Sequence, residues 1–494
     1  MNQYAIFTPV GGIKQNLPGI LLNDAFAEES VNVIFKDGMV QRMQGRGAMF
    51  PDKLNEDVLM LTQYRKRNGS KYLMTATRNK VYYRGQNNWV DITGTTPYTG
   101  DASDLWSFCH FNDTFVFTNG VDAPKKWDGM GDVVALGGNP PIAKYVTEYS
   151  HYLVFLCLAD YPSNIRWGQI GCLEDFSNGD AGECVLDGDD YIRGVAKLGD
   201  YLIIFKERSI FRAYPIGGDL VFKIEKINDK IGCLGGHSIV VANGIVYFYG
   251  GDNRFYAYAG ANEASEISQN IPELCDRINQ KANQIYGAYQ EGLNRIVWIV
   301  PTGESDTPNE MFIYDLDTQA WSKADFPATC LNPTGYVAEG NKIWEEQSDT
   351  WDTAIGRWND VKFLTGQRAN LSGSQDGSID ALWQTRQDKN KNFSGIFITK
   401  PISFGDLPTY NRLLKVQLYF KNEHAPNAVN VSIKRDYGDT YEMIGTCLLN
   451  GAGNELSFIL PCNITARNFT MKLESQYRYR FIGAIFHYIP QGIR

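Results

Sequence analysis

One spacing constrains this chain more than any other feature. Apolar runs that read as strands begin at or near Tyr72, Phe115, Leu153, Leu202, Val246 and Ile296, with Ile343 as a further candidate. Successive steps are 43, 38, 49, 44, 50 and 47 residues. Four-stranded propeller blades recur at about 40–50 residues, whereas helical solenoids of that period need a 3.6-residue apolar spacing that is missing here. The stretch from Gly194 to Gly260 shows the unit most plainly. Tyr201–Phe205 is apolar throughout, as in a strand buried on both faces, while Phe222 and Ile224 alternate with Lys223 and Glu225, as on a half-exposed outer strand. Asn243-Gly244 supplies the φ > 0 pair of a two-residue hairpin. An aromatic residue recurs near the end of the units, at Trp89, Trp127, Trp167, Tyr214, Tyr258 and Trp321, where a large ring can fill the wedge between blades. The expectation is an all-β chain with a six- or seven-bladed β-propeller over residues 61–385.

At 494 residues the chain exceeds one ordinary domain. Residues 1–60 are punctuated by Gly and Pro and hold a short hairpin, Asn32–Phe35 turning at Asp37-Gly38 into Met39-Val40. Such a leader either closes the propeller by adding a strand to the last blade or runs out as an arm. One helix is expected, over Ile267–Ile278, with Asn270 as N-cap and Pro272 in the first turn, packed on the outside of the propeller. Asp388–Asn392 reads as a polar linker. Beyond it, seven short alternating strands in residues 386–494 predict a β-sandwich-like module.

Chemistry-bearing motifs are scarce. Nine cysteines are scattered with no CxxC pair, and five histidines form no HExxH. Cys233 and His237 lie four apart in a Gly-rich turn and read as a structural turn with a buried thiol. Asp187-Gly-Asp189-Asp190 clusters oxygens but lacks the remaining ligands of a calcium loop, so it reads as an acidic hairpin tip. Ser374-Gln-Asp376-Gly377 approaches the aspartate-box turn of sialidase-type propellers with its glycine and tryptophan out of register, and is taken as a turn. GxGxxG, Walker and GxSxG patterns are missing. No catalytic, cofactor-binding or metal-binding residues are therefore assigned, although a propeller glycosidase would gather its carboxylates from distant blades. Tyr64–Lys71 is a charged hairpin tip, either solvated or in contact with an anionic partner. A net charge of −9 gives no global attraction to nucleic acid or anionic membrane. Residues 1–12 lack the features of a signal peptide, and no apolar run approaches a membrane span.

Several segments resemble, in order, a family of short-tailed phage tail proteins. They are Leu17–Phe26 with Val31–Gly38, Phe117–Gly129, Leu198–Phe211, Ile231–Ser238 and Phe312–Ser322. The resemblance covers about residues 15–385, and the C-terminal module joins it loosely through Ile398–Gly405. This is the tail hub or nozzle family, also called packaged-DNA stabilisation proteins.

The resemblance implies a non-enzymatic virion tail protein assembled in the host cytoplasm. It implies a homo-hexamer below a portal-adaptor ring, meeting tail spikes or fibres and a needle or plug, with viral double-stranded DNA passing non-specifically. Retention of the packaged genome then calls for a gate. The candidate is the loop Thr302, Gly303, Glu304, Ser305, Asp306, Thr307, Pro308 and Asn309, whose composition suits an exposed irregular loop. The alternative is a glycan-binding or glycan-cleaving propeller, as on a tail spike. A third reading is a monomeric cytosolic scaffold.

Overall fold

A computed structural model of the protein describes residues 3–217, 220–261, 263–279, 284–333, 335–336, 368–405, 409–423, 425 and 427–492. Seven four-stranded antiparallel sheets dominate it. Six are continuous in sequence, spanning 60–91, 107–135, 143–185, 192–228, 240–266 and 286–324, and are called blades one to six. Their first strands touch those of neighbouring blades from blade two through blade seven and back to blade one, and Tyr64 and Tyr72 of blade one pack on Phe115 and Trp127 of blade two, so the ring is closed with the first strands on its inner wall. The protein is a seven-bladed β-propeller followed by a β-sandwich.

The repeated landmarks Tyr72, Phe115, Leu153, Leu202, Val246 and Ile296 all fall in second strands. In blade four this strand, Tyr201–Lys206, is buried from its second residue to its last. Asn243 and Gly244 take φ of 51° and 74° and join Ala242 to Ile245 in a tight hairpin. The recurring aromatics are less uniform than expected. Four lie in third strands, but Trp89 and Trp321 open fourth strands. They still fill wedges: Trp127 packs against Tyr64, Tyr72 and Tyr83 of blade one, and Trp167 against Phe222 of blade four.

Blade seven departs from the period. Its strands are Cys330–Leu331, Leu371–Gly373, Ile379–Thr385 and, outermost, Gly45–Ala48 from the N-terminal leader. Ile343 lies outside the described residues, and the landmark strand is Leu371–Gly373. Residues 3–42 enter the C-terminal module instead. Gln3–Phe7, Val33–Lys36 and Met39–Arg42 join one sheet with Tyr410–Lys421, Glu455–Ala466 and Arg480–Gly492. Ala27–Val31 joins the other, with Gly395–Thr399, Ile402–Ser403, Ala428–Arg435, Glu442–Leu448 and Asn468–Ser475. One chain end thus builds both bodies.

The helix expected over Ile267–Ile278 is one turn, Pro272–Asp276, preceded by Ile271 rather than capped by Asn270. Ile267 is drawn into the blade, its N–H donating to the Phe255 carbonyl, and the Asn270 carbonyl accepts from Gln15 N–H. The helix is buried where it packs. Ile271, Leu274, Cys275 and Ile278 belong to one apolar cluster running from blades five and six into the sandwich. Blade six is the docking face: Ile13 and Asn32 N–H donate to the Trp321 and Lys323 carbonyls at 3.1 and 2.8 Å, and Asp325 N–H donates to Asn32 Oδ1 at 3.0 Å.

Candidate functional site

The loop singled out as a gate connects the second and third strands of blade six. Asn309 closes it: its Oδ1 accepts the Thr302 N–H at 2.8 Å and the Thr302 hydroxyl at 3.2 Å. Gly303 N–H donates to the Arg277 carbonyl, and Asn279 Nδ2 donates to the Ser305 carbonyl at 2.6 Å. Gln375 of blade seven donates to Thr307 Oγ1 at 2.9 Å, and Pro308 is buried. Gly303, Glu304 and Asp306 form the exposed tip. A loop fastened on both flanks moves at its tip alone, within a few residues.

Two oxygen clusters noted in the sequence are already occupied by lysine ammonium groups. Lys206, fully buried at the end of the apolar second strand of blade four, aims Nζ at Asp190 Oδ1 at 3.0 Å. The same nitrogen donates to the Asp187 and Gly188 carbonyls at 3.0 and 3.2 Å. Asp190 is held low in pKa: burial pulls it up, but the Arg208 N–H and Lys206 more than offset that. The Asp187 side chain points away, 92% exposed. In blade seven, Lys389 Nζ reaches Ser374 Oγ, Ser378 Oγ and Asp380 Oδ2 at 2.8, 2.9 and 3.0 Å. The aspartate-box-like turn therefore receives the linker lysine. A fixed ammonium among oxygens does electrostatically what a bound cation would do. Nothing in the local sequence marks either lysine except the end of an apolar run for Lys206 and nearby acids for both. Among the described residues no group of three His, Cys, Asp or Glu is placed to hold a metal ion.

His237 sits in the single turn Gly236–Ser238 ahead of the first strand of blade five. Its ring stacks on Tyr286 of blade six at 5.2 Å and 15°, and lies 6.1 Å from Tyr145 of blade three. Rings from blades three, five and six thus meet across the axis. Gly236 beside it has no room for a side chain: a Cβ would lie 2.0 Å from the Arg193 carbonyl oxygen and 2.3 Å from the Tyr145 hydroxyl. Burial, then Lys144, pushes the imidazole down to about 3, and burial pushes the Cys233 thiol up to about 12. Both are neutral at pH 7, so no thiolate–imidazolium pair exists here.

The seven first strands carry one carboxylate between them, Glu148. Burial raises its pKa, but Lys197 Nζ at 2.5 Å and the His151 N–H at 2.9 Å hold it below the usual carboxylate range. A glycosidase acid needs the opposite shift and a second carboxylate near it. Glu28 does show a raised pKa, from burial first and then Glu29 and Glu273 against Lys434, in a cleft of about 650 Å³ between the leader, the short helix and the sandwich. That cleft also takes Lys14, Arg277 and Lys323. The charged tip of Tyr64–Lys71 is largely tied to blade two, with Lys66 Nζ on the Asp128 carbonyl at 2.7 Å and Arg67 N–H on Asp113 Oδ1 at 2.8 Å.

No protein-family model matches the chain, and no curated protein matches it. Among solved structures, the WD40 domain of Toxoplasma gondii coronin is similar at 9% identity and TM-score 0.38, covering 73% of this chain and 90% of that one. Exo-beta-1,3-galactanase from Phanerochaete chrysosporium is similar at 10% identity and TM-score 0.26, covering 90% and 100%. The extracellular domain of a hybrid two-component system protein from B. thetaiotaomicron is similar at 10% identity and TM-score 0.27, and this chain spans about half of it, 53%. Scores this low do not establish a shared fold, so the propeller rests on its own sheet topology. Among the described residues no helix is long and apolar enough to cross a membrane.

Proposed function

We propose that this chain is a structural subunit of a short-tailed phage tail, a nozzle or hub ring that forms part of the DNA channel. The observation that carries the reading is the crossed axis. His237 bridges Tyr145 and Tyr286 within ring distances of 6.1 and 5.2 Å. That leaves no passage for a duplex whose major groove alone is about 12 Å wide. A propeller closed in this way serves as a wall, and the DNA path lies between copies rather than through each one. The lone, ion-paired Glu148 of the inner strands and the lysine-filled oxygen clusters favour a building body over an enzyme. The ordered resemblance of residues 15–385 supplies the tail context, with a homo-hexamer, an adaptor ring above, and spikes or fibres and a plug as partners.

An acidic chain of net charge −9 suits a channel that DNA slides past. The isolated ring is expected to bind duplex DNA no tighter than about 10⁻⁴–10⁻⁶ M at physiological salt. Electron microscopy of the purified protein tests the assembly. A six-fold ring with its opening between subunits is expected. A trimer would favour a glycan-binding spike, and a strict monomer would favour a scaffold; either overturns the proposal.

A further inference from the structure

A cleft of about 840 Å³ opens where blades six and seven meet the sandwich. Among the described residues its lining includes Lys36, Arg42, Arg295, Arg368 and Arg478 against one carboxylate, Glu291, which pairs with Arg368. Two of these cations are set deep. Arg42 is 4% exposed and Arg295 5% exposed. Among the described residues neither forms an ion pair with a carboxylate, and Arg295 feels Asp315 only through space. Arg42 donates to the carbonyls of Met43, Arg386 and Phe393, lies 3.9 Å above the Phe393 ring, and leaves its buried Nε without an acceptor. Arg295 donates Nε to the neutral Gln290 Oε1 at 2.8 Å and lies 4.5 Å from the Trp383 ring. The nearest acid in register, Asp315, is engaged by Asp317 N–H and by Thr318 N–H and hydroxyl.

Burial pushes both guanidinium groups down to about 10, so both stay charged at neutral pH. Burying charge without a counter-charge is unfavourable, and the planar fork of arginine matches carboxylate and phosphate oxygens two at a time. The volume is that of a small-molecule site.

We infer that this cleft binds a small polyanion bearing phosphoryl or carboxylate groups, held by Arg42 and Arg295 at the floor and by Lys36 and Arg478 at the rim. The site is independent of the tail assignment and is tested without DNA. Calorimetric titration of the full chain at low salt would use sodium pyrophosphate in one arm and citrate in the other. One-to-one binding of either anion is expected, weakening as salt is raised, and the arm that binds identifies the phosphoryl or the carboxylate source. Arg478 shares Glu423 with Arg480, its Nε lying 3.4 Å from Glu423 Oε2, so the rim variant K36Q/R478Q is expected to weaken binding at least about tenfold while Arg480 keeps Glu423 paired and the fold intact. Arg42→Lys keeps the charge, removes the fork and is expected to weaken it as well. Failure of both anions to bind wild-type protein overturns the inference. So does wild-type affinity in both variants, or binding of a hexaglutamate peptide alone, which would make the cleft a protein-docking site.

Discussion

Arg46 and Asp388, 342 residues apart, lock the propeller shut with a two-pronged ion pair: Nε to Oδ1 at 2.6 Å and Nη2 to Oδ2 at 2.8 Å. Arg46 is 1% exposed and sits in the strand that completes blade seven; Asp388 sits in the segment leading to the sandwich. The Lys389 N–H adds a bond to the Arg46 carbonyl at 2.9 Å. The segment expected as a polar linker is therefore part of the clasp.

Breaking this clasp from one side strands a charge. Arg46→Ala is expected to destabilise the protein by about 3–5 kcal/mol, the usual cost of removing one partner of a buried pair. Urea unfolding measures it, and protease cutting near residues 386–392 should accelerate in parallel. A loss under about 1 kcal/mol would show that strand pairing alone closes the ring.

Lys206 is expected to behave as a built-in cation. Lys206→Met leaves Asp190 without its counter-charge, held by the Arg208 N–H and Ser209 hydroxyl, and removes the ammonium from the Leu186, Asp187 and Gly188 carbonyls; it should cost about 3–5 kcal/mol, partly recovered in K206M/D190N. EDTA should shift the wild-type Tm by less than about 2 °C, the size of under 1 kcal/mol in a chain this long. Asp190 has a depressed pKa in the folded state, so its contribution is present above about pH 4 and lost as pH falls through the folded value. A large Tm drop on chelation would mean that a metal, and not Lys206, holds the loop.

His237 should make stability rise with pH. Its folded pKa is about 3 against an unfolded value of about 6.5, so between these the unfolded chain binds a proton that the folded one does not. From pH 7.5 to pH 5 this removes up to about 2 kcal/mol. His237→Phe keeps a ring between Tyr145 and Tyr286, removes the unpartnered Nε2, and should flatten the profile by that amount. Equal pH dependence of the two proteins in urea titrations would place a charged imidazole at the axis.

The tip of the blade-six loop is expected to be dispensable for folding, even though its removal gives up the bonds of Ser305 to Asn279 and of Thr307 to Gln375. Removing residues 303–307 while keeping Thr302 and Asn309 is expected to leave the ring assembled in electron micrographs. If the tip gates the channel, particles carrying the deletion should leak genome, measured as nuclease-sensitive DNA. Intact retention would assign the gate to another loop or to a plug.

Much of the architecture was legible because it is written in local pattern. Buried second strands such as Tyr201–Lys206 show as unbroken apolar runs, and Asn243-Gly244 shows as a turn because few residue pairs accept positive φ. All seven strands expected beyond the linker exist for the same reason of alternation. The helix over Ile267–Ile278 failed because its apolar spacing fits equally a strand end, one helical turn and a buried connection. Contact with Phe255 and Gln15 chose among them.

The sequence by itself determined the all-β class, the blade period, the acidic balance and the scarcity of reactive motifs, since each depends on residues close together in the chain. Only the tertiary structure decided how the leader is divided, with Gly45–Ala48 closing blade seven and residues 3–42 building the sandwich. It alone brought Arg46 to Asp388, His237 between Tyr145 and Tyr286, and Arg42 beside the cleft lined by Arg295. Such pairings span tens to hundreds of residues and are set by ring closure and by the docking of the sandwich on blade six. No local propensity encodes a distance of that kind.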